Sequence, residues 1–490
     1  MIERVTTMNN THLSAVKNNL LNLDATELAE HIRTRRVSSE EVTETFIRHI
    51  EAVNPKLNAV VEERFELALE EAREKDQQIS QVTLNEYPLY GVPISIKESF
   101  HVQGMKTTGG IVHRKDLMMS YDAEPVARLK EAGAIILCKT NTPSLCFCHE
   151  TDNKLYGRTN NAWDKNRTAG GSSGGEAALI GVGGTPAGLS SDIGGSIRLP
   201  SHFNGVVGFK PGKFQVSTSG HFPPDTHPLK ERMSGIGPMG KKVRDVELLY
   251  HLITLNNKQK AYYKRLQVDI LPPDNGYPIS TFTETILYDI YDTLKQTYDT
   301  DYSIPPYFHD CATIWQEIMS IDGAKDIRNL AFPQDRVNLW KYYTQEKLVH
   351  NTNVHEYLSW ALIGAKMFKP TKKRVQEIKA FIRENEPNVY SYLSNRLLIM
   401  PVYYRGAHKH GEMYKEIFSI KKTYRQYMPY IAYANVWGLP SLTVPISFNS
   451  DGLPIGIQII SSIGNEQAIF TLGKQLEEHF GGYKRSTVYD

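Results

Sequence analysis

The chain is poor in the features that would mark a disulfide scaffold, a membrane protein or a nucleic-acid binder. Four cysteines in 490 residues are too few for a disulfide framework, which fits a reducing compartment. No run of about eighteen apolar residues occurs, so no membrane-spanning helix is expected. Residues 1–7 lack the apolar stretch of a secretory signal. Charge bias is absent too: 56 Lys and Arg stand against 54 Asp and Glu, a formal net charge of +2. With no basic block, nothing asks for nucleic acid or an anionic surface. Internal repeats and low-complexity tracts are also missing. The expectation left by these absences is a soluble cytoplasmic protein, and 40% hydrophobic residues supply ample material for a core.

The pattern along the chain changes from helical to alternating. Asp24 with Glu27, and Ser38 with Glu41, have capping-box spacing. Behind the second, Val42, Phe46 and Ile50 recur every four residues and predict one buried helical face. A third helix is expected through Phe65 and Leu69. Short apolar runs at 93–97 and 134–138 have strand length, and the segment 122–132 between them suits a helix closed by Gly133. Helix is expected again through Ala177, Leu179 and Ile180. This alternation predicts an α/β fold with a largely parallel sheet. Near the end, runs at 442–446 and 455–459 flank a turn at 449–452, and Ala468, Leu472, Leu476 and Phe480 mark a terminal helix. Residues 251–424 lack Gly clusters and are read as partly core and partly an inserted helical cover, within a single domain spanning 1–490.

Glycine and serine crowd one region. Gly170-Gly171-Ser172-Ser173-Gly174-Gly175-Glu176 is followed by Ser191-Asp192-Ile193-Gly194-Gly195-Ser196-Ile197-Arg198-Leu199-Pro200. Glycine lets a backbone turn tightly and present N–H groups to a ligand. A serine in such a turn is a candidate nucleophile with an oxyanion hole beside it, or simply a turn residue or helix cap. Residues 170–174 satisfy G-x-S-x-G, but the preceding Asp164-Lys165-Asn166-Arg167-Thr168-Ala169 makes a poor strand, which argues against a Ser-His-Asp elbow. Cys146-Phe147-Cys148-His149 lacks the second ligand pair of a zinc site. Residues 208–213 fail the P-loop spacing, and Gly181-Val182-Gly183-Gly184 does not complete a dinucleotide fingerprint. Neither a metal nor a nucleotide cofactor is implied.

The wider context resembles the amidase signature family. Matching stretches include Gly91-Val92-Pro93-Ile94-Ser95-Ile96-Lys97, Lys139-Thr140-Asn141-Thr142-Pro143, Thr159-Asn160-Asn161, the two Gly/Ser segments, and Gly205-Val206-Val207-Gly208-Phe209-Lys210-Pro211. Gly438-Leu439-Pro440 and Gly452-Leu453-Pro454-Ile455-Gly456-Ile457-Gln458 match its C-terminal core. The resemblance covers about residues 20–250 and 425–480; segments 146–158 and 173–200 are closest to the fatty acid amide hydrolase branch. Two departures are small: Ala169 stands where Pro commonly precedes the Gly pair, and Gly212-Lys213 replaces the usual residues after Lys-Pro.

The resemblance implies an α/β/α sandwich around a large mixed sheet and a Ser-Ser-Lys triad. By position, the nucleophile falls on Ser196, the bridging serine on Ser172 and the lysine on Lys97. The Gly171–Ser172 peptide is expected to be cis, with Ser173 helping to hold it. Backbone N–H groups of Ile193, Gly194, Gly195 and Ser196 are expected to hold the oxyanion, and Asp192 with Arg198 to brace the loop as an ion pair. Cys146 and Phe147 are expected in the acyl pocket, to which the 27 Tyr and 17 Phe could also contribute. Physically, a serine hydroxyl needs a base, and lysine serves only when neutral, which burial favours. Alone, Lys97 would be read as a surface charge; the three residues together reverse that reading.

The function implied is a metal-independent amidohydrolase working through a serine acyl-enzyme, on a fatty or other hydrophobic acyl amide. Two alternatives stand beside it: the glutaminase component of a tRNA-dependent amidotransferase, and a catalytically silent binding protein of the same fold. The partners expected are a small-molecule amide and, at most, a second copy of the chain in a homodimer.

Overall fold

Three wholly buried strands form the part of the sheet that carries the candidate site: β2 (Pro93–Lys97), β3 (Ile135–Thr140) and β4 (Ala187–Asp192). They run parallel in the order β3-β2-β4. The computed structural model describes residues 20–255, 266–333, 337–413 and 427–490. Residues 1–7, where no signal was found, and parts of 251–424 lie outside the described residues.

Eight further strands extend the sheet. These are β1 (Val60–Glu63), β5 (Val207–Lys210), β6 (Gly235–Gly240), β7 (Gln267–Ile270), β8 (Thr300–Tyr302), β9 (Arg396–Pro401), β10 (Ser441–Phe448) and β11 (Pro454–Ile460). The spatial order is β1-β3-β2-β4-β6-β5-β10-β11-β9-β7-β8. The sheet is mixed, as the family resemblance implies, which corrects the largely parallel sheet expected from alternation alone: parallel pairing is confined to β3-β2-β4 and β9-β7-β8, and the other neighbours are antiparallel. The reason is local in β10 and β11, where a tight turn at 449–452 permits only antiparallel return. Strands β7, β8 and β9 come from within 251–424 and continue the same sheet.

The helices follow their sequence signals closely. Both capping boxes form, at Asp24 and at Ser38, opening helices Ala25–Arg33 and Ser39–Leu57. Val42, Phe46 and Ile50 are buried on the second helix. The third helix is Phe65–Gln78, but it buries Ala68 and Ala72, with Phe65 and Leu69 only partly covered. The terminal helix Glu466–Phe480 buries Leu472 and Leu476, while Ala468 and Phe480 are partly covered. Among the described residues no helix is long and apolar enough to cross a membrane.

Two short helices matter most for the site. Gly174–Gly181 and Arg198–Asn204 are buried at every residue. These two helices start directly after Ser173 and Ile197. The serine loops are thereby anchored in the core. Over them lie helices Cys311–Met319, Lys325–Ala331 and Glu356–Met367 from the central stretch.

Candidate active site

Parallel neighbours β2 and β4 bring Lys97 and Ser191 together at their C-terminal ends, the usual place for a site in an α/β sheet. Lys97 is fully buried. Its Nζ lies 2.8 Å from Ser172 Oγ and 3.0 Å from Ser191 Oγ. Burial lowers the Lys97 pKa from its ordinary 10.5, with the Cys146 thiol, Asp192 and Glu176 pulling the other way. Two neutral hydroxyls as hydrogen-bond partners leave the amine free to be uncharged.

Ser172 sits on a loop held from several sides. The Gly171–Ser172 peptide is cis. Thr142 Oγ1 donates to the Ser172 carbonyl at 2.9 Å, and the Ser173 N–H donates to the Ser196 carbonyl at 3.2 Å. That second bond ties the two serine loops to each other. Ser172 is 1% exposed and Ser196 5%, yet both line a cavity that also reaches Ser191 and His221.

The loop before Ser196 is organised by a buried ion pair. Arg198 Nε and Nη2 donate to Asp192 at 3.0 and 3.1 Å, and both side chains are wholly excluded from solvent. Asn435 Nδ2 donates to Asp192 Oδ1 at 3.0 Å. Burial alone would raise the Asp192 pKa, but Arg198, Lys210 and Asn435 together hold it well below the usual carboxylate range. The carboxylate therefore stays charged and accepts backbone donors from its own loop, Gly195 N–H at 2.7 Å and Ile197 N–H at 3.1 Å. Gly195 has φ +95°, a conformation open to glycine and strained for other residues.

This geometry corrects one expectation. The Gly195 amide is engaged by Asp192 and is not free for an oxyanion. Among the described residues, the amides of Ile193, Gly194 and Ser196 donate to no protein acceptor. The carbonyls of the same loop are held: Trp315 Nε1 donates to Ile193 at 2.8 Å, and His149 Nε2 contacts the Gly194 oxygen at 2.6 Å.

A second cavity opens from Ser196 and Gly194 between the overlying helices. Phe147, Trp315, Met319, Ala361 and Phe368 give it a largely apolar wall. Cys146 and Phe147 line both cavities.

Sequence reasoning passed over Ser191, His221, His149 and Trp315. Ser191 carried a local signal, since it precedes Asp192 in the Gly/Ser segment. His221 Nε2 lies 2.9 Å from Ser191 Oγ, and burial with the nearby Lys97 lowers its pKa to about 3, so it is neutral. Burial likewise lowers His149 to about 4. His221 and Trp315 reach the site only through the tertiary fold and carry no motif.

Comparison with known proteins agrees with this architecture. The amidase family model matches residues 41–277 and 304–470. Fatty-acid amide hydrolase 2-B of Danio rerio is 32% identical over 498 residues, covering 96% of this chain and 92% of its own. The human fatty-acid amide hydrolase 2 is 30% identical over 499 residues, covering 95% and 90%. A glutamyl-tRNA(Gln) amidotransferase component from a Sulfurihydrogenibium strain is 27% identical over 493 residues, covering 94% and 97%. Among solved structures, 6-aminohexanoate cyclic dimer hydrolase complexed with substrate superimposes with a TM-score of 0.79 at 24% identity, over 96% of this chain and 100% of that one. That likeness is one of fold. The family match over most of the sequence, with a relative above 30% identity along nearly its whole length, places this chain in the amidase signature family of amide hydrolases.

Proposed function

We propose that the protein hydrolyses an amide with a long apolar acyl group through an acyl-enzyme on Ser196. The observation that carries this reading is the fully buried Lys97 amine 2.8 Å from Ser172 Oγ, beside a cavity that Ser172 and Ser196 share.

In this reading Ser196 Oγ attacks the amide carbonyl and passes its proton to Ser172, whose own proton moves to neutral Lys97. The negative oxygen that develops is met by the amides of Ile193, Gly194 and Ser196, each such donor contributing on the order of 3 kcal/mol to the transition state. The relay then reverses: Lys97 returns a proton through Ser172 to the amide nitrogen, the C–N bond breaks, and the amine departs. Water attacks the remaining ester by the same route, releasing the acid and restoring Ser196. Ser191 keeps the Lys97 amine directed at the hydroxyls.

The apolar cavity supports a long acyl chain, and the mixed cavity, with Asp225, Thr226, Lys230 and Asp326 on its wall, supports the amine side. A glutamine substrate fits less well, because its charged ends would sit unpaired against apolar walls. The test is hydrolysis of amides from acetyl to hexadecanoyl, with glutamine included, for wild type, Ser196→Ala and Lys97→Ala. Each added methylene buried should contribute about 0.8 kcal/mol, roughly a fourfold gain in kcat/KM. Turnover surviving in Ser196→Ala ends the reading. Failure of Ser196 to react with a fluorophosphonate would favour a silent binding protein instead.

A further inference from the structure

Successive peptide groups in the loop before Ser196 are fixed in different ways. The Gly194–Gly195 peptide is pinned at both ends, its carbonyl by His149 at 2.6 Å and its N–H by Asp192 at 2.7 Å. In a trans peptide these two groups point in opposite directions, so the two partners hold it from both sides. The Ile193–Gly194 peptide is pinned at one end. Its carbonyl accepts from the indole of Trp315 at 2.8 Å, and its N–H, on Gly194, has no protein acceptor among the described residues. Fixing the carbonyl therefore fixes the direction of the remaining donor.

Trp315 is built to do this closely. A Cβ on Gly194 would lie 2.4 Å from the indole Cζ2, so the ring rests directly against the peptide. Trp315 comes from the helix Cys311–Met319, part of the overlying layer, 122 positions from Ile193. Its ring also lines the apolar cavity with Met319, Ala361 and Phe368. One side chain thus touches both the space for an acyl chain and the loop that meets the reacting oxygen.

We propose that Trp315 is a positioning residue that couples occupancy of the apolar cavity to the Gly194 oxyanion donor. A chain in the cavity packs on the indole, the indole N–H holds the Ile193 carbonyl, and the Gly194 N–H is kept turned toward the substrate oxygen. Acyl length then acts on kcat as well as on binding. This inference rests on Ser196 as the nucleophile, read above.

Trp315→Phe tests it, since the ring surface is largely kept and the N–H is lost. The expected result is a fall in kcat of about tenfold, the scale of one hydrogen bond, with KM within about twofold. Affinity for a long-chain trifluoromethyl ketone, whose adduct with Ser196 carries an oxyanion, should fall by the same factor. Binding of hexadecanoic acid should be unchanged. The rise of kcat with acyl length should flatten in the variant. Trp315→Leu, which changes packing more, should show the same kcat loss if the N–H is what matters. Wild-type kcat and ketone affinity in Trp315→Phe would overturn the proposal, as would equal losses of ketone and acid binding. Ser196→Ala separates the two claims: if it is inactive while Trp315→Phe turns over normally, the nucleophile stands and the coupling falls.

Discussion

Asp192 and Arg198 form an ion pair with two N–H···O contacts of 3.0 and 3.1 Å and no solvent access to either side chain. Arg198 Nη1 also donates to the Ile431 carbonyl at 2.9 Å and to Gln458 Oε1 at 3.1 Å, so the pair joins the serine loop to helix Pro429–Val436 and to β11. Removing one partner leaves the other charge buried and unpaired, which typically costs about 3–5 kcal/mol. Arg198→Met should lower the urea midpoint of unfolding by a corresponding amount and abolish turnover. A stable, fully active Arg198→Met would show that the loop does not need this brace.

In the proposed mechanism the neutral form of Lys97 sets the pH dependence of the rate. Its burial lowers the pKa, and the base form is the one that acts, so kcat/KM should rise with pH along a limb that ends below the ordinary 10.5 of lysine. Lys97→Met should reduce kcat/KM by about 10²- to 10⁴-fold, the range for a positioned general base, and the limb should vanish. A limb that persists unchanged in the variant would transfer the titration to another group.

His202 links acid sensitivity to the fold. Its Nδ1 lies 2.9 Å from the Gly456 nitrogen and 3.1 Å from the Gly456 carbonyl, and its Nε2 lies 3.0 Å from the Arg405 carbonyl. Burial lowers its pKa from 6.5 to about 4. Below pH 6.5 the unfolded chain binds a proton that the native one refuses, so stability falls as pH drops from 6.5 toward 4. At about 1.4 kcal/mol per unit, the loss from this one group is on the order of 3 kcal/mol. Glu176 acts in the opposite sense: burial raises it to about 7, and it gains stability as pH falls from 7 toward 4.5. His202→Gln should be less stable at pH 7 yet lose less on acidification to pH 4.5. An unchanged difference between the two pH values would remove His202 from the account.

Much of this site is legible in the sequence because its parts are local. Lys97 ends a short, mostly apolar run that forms a buried strand, and Ser172, Asp192, Ser196 and Arg198 lie in two Gly/Ser segments that lead into buried helices. The capping boxes at Asp24 and Ser38 are also local, and both form. What a sequence does not display is which peptide ends meet across the fold. The Gly195 amide turns to Asp192 rather than to substrate, a matter of backbone angle. Trp315 and His149 reach the loop from other elements. The mixed sheet is implied by the family resemblance but not by local pattern: strand–helix alternation holds between β2 and β4, and pairing further along depends on long-range partners such as β5 with β10.

Gly364 offers a way to change acyl length without harming the fold. It lies inside helix Glu356–Met367 and lines the apolar cavity, and a Cβ built on it meets no atom within 4 Å. Glycine inside a helix is unfavourable by roughly 0.5–1 kcal/mol relative to alanine, so a larger residue should raise stability slightly. Gly364→Leu would place its side chain in space read as belonging to the substrate. Displacing even two or three methylenes, at about 0.8 kcal/mol each, should lower kcat/KM for a hexadecanoyl amide by at least tenfold. Short acyl amides, which do not reach this far, should be hydrolysed as by wild type. Comparing the chain-length profiles of the two proteins, with thermal unfolding alongside, distinguishes a shortened cavity from a damaged enzyme. A uniform loss across all lengths would mean that Gly364 lies outside the path of the acyl chain.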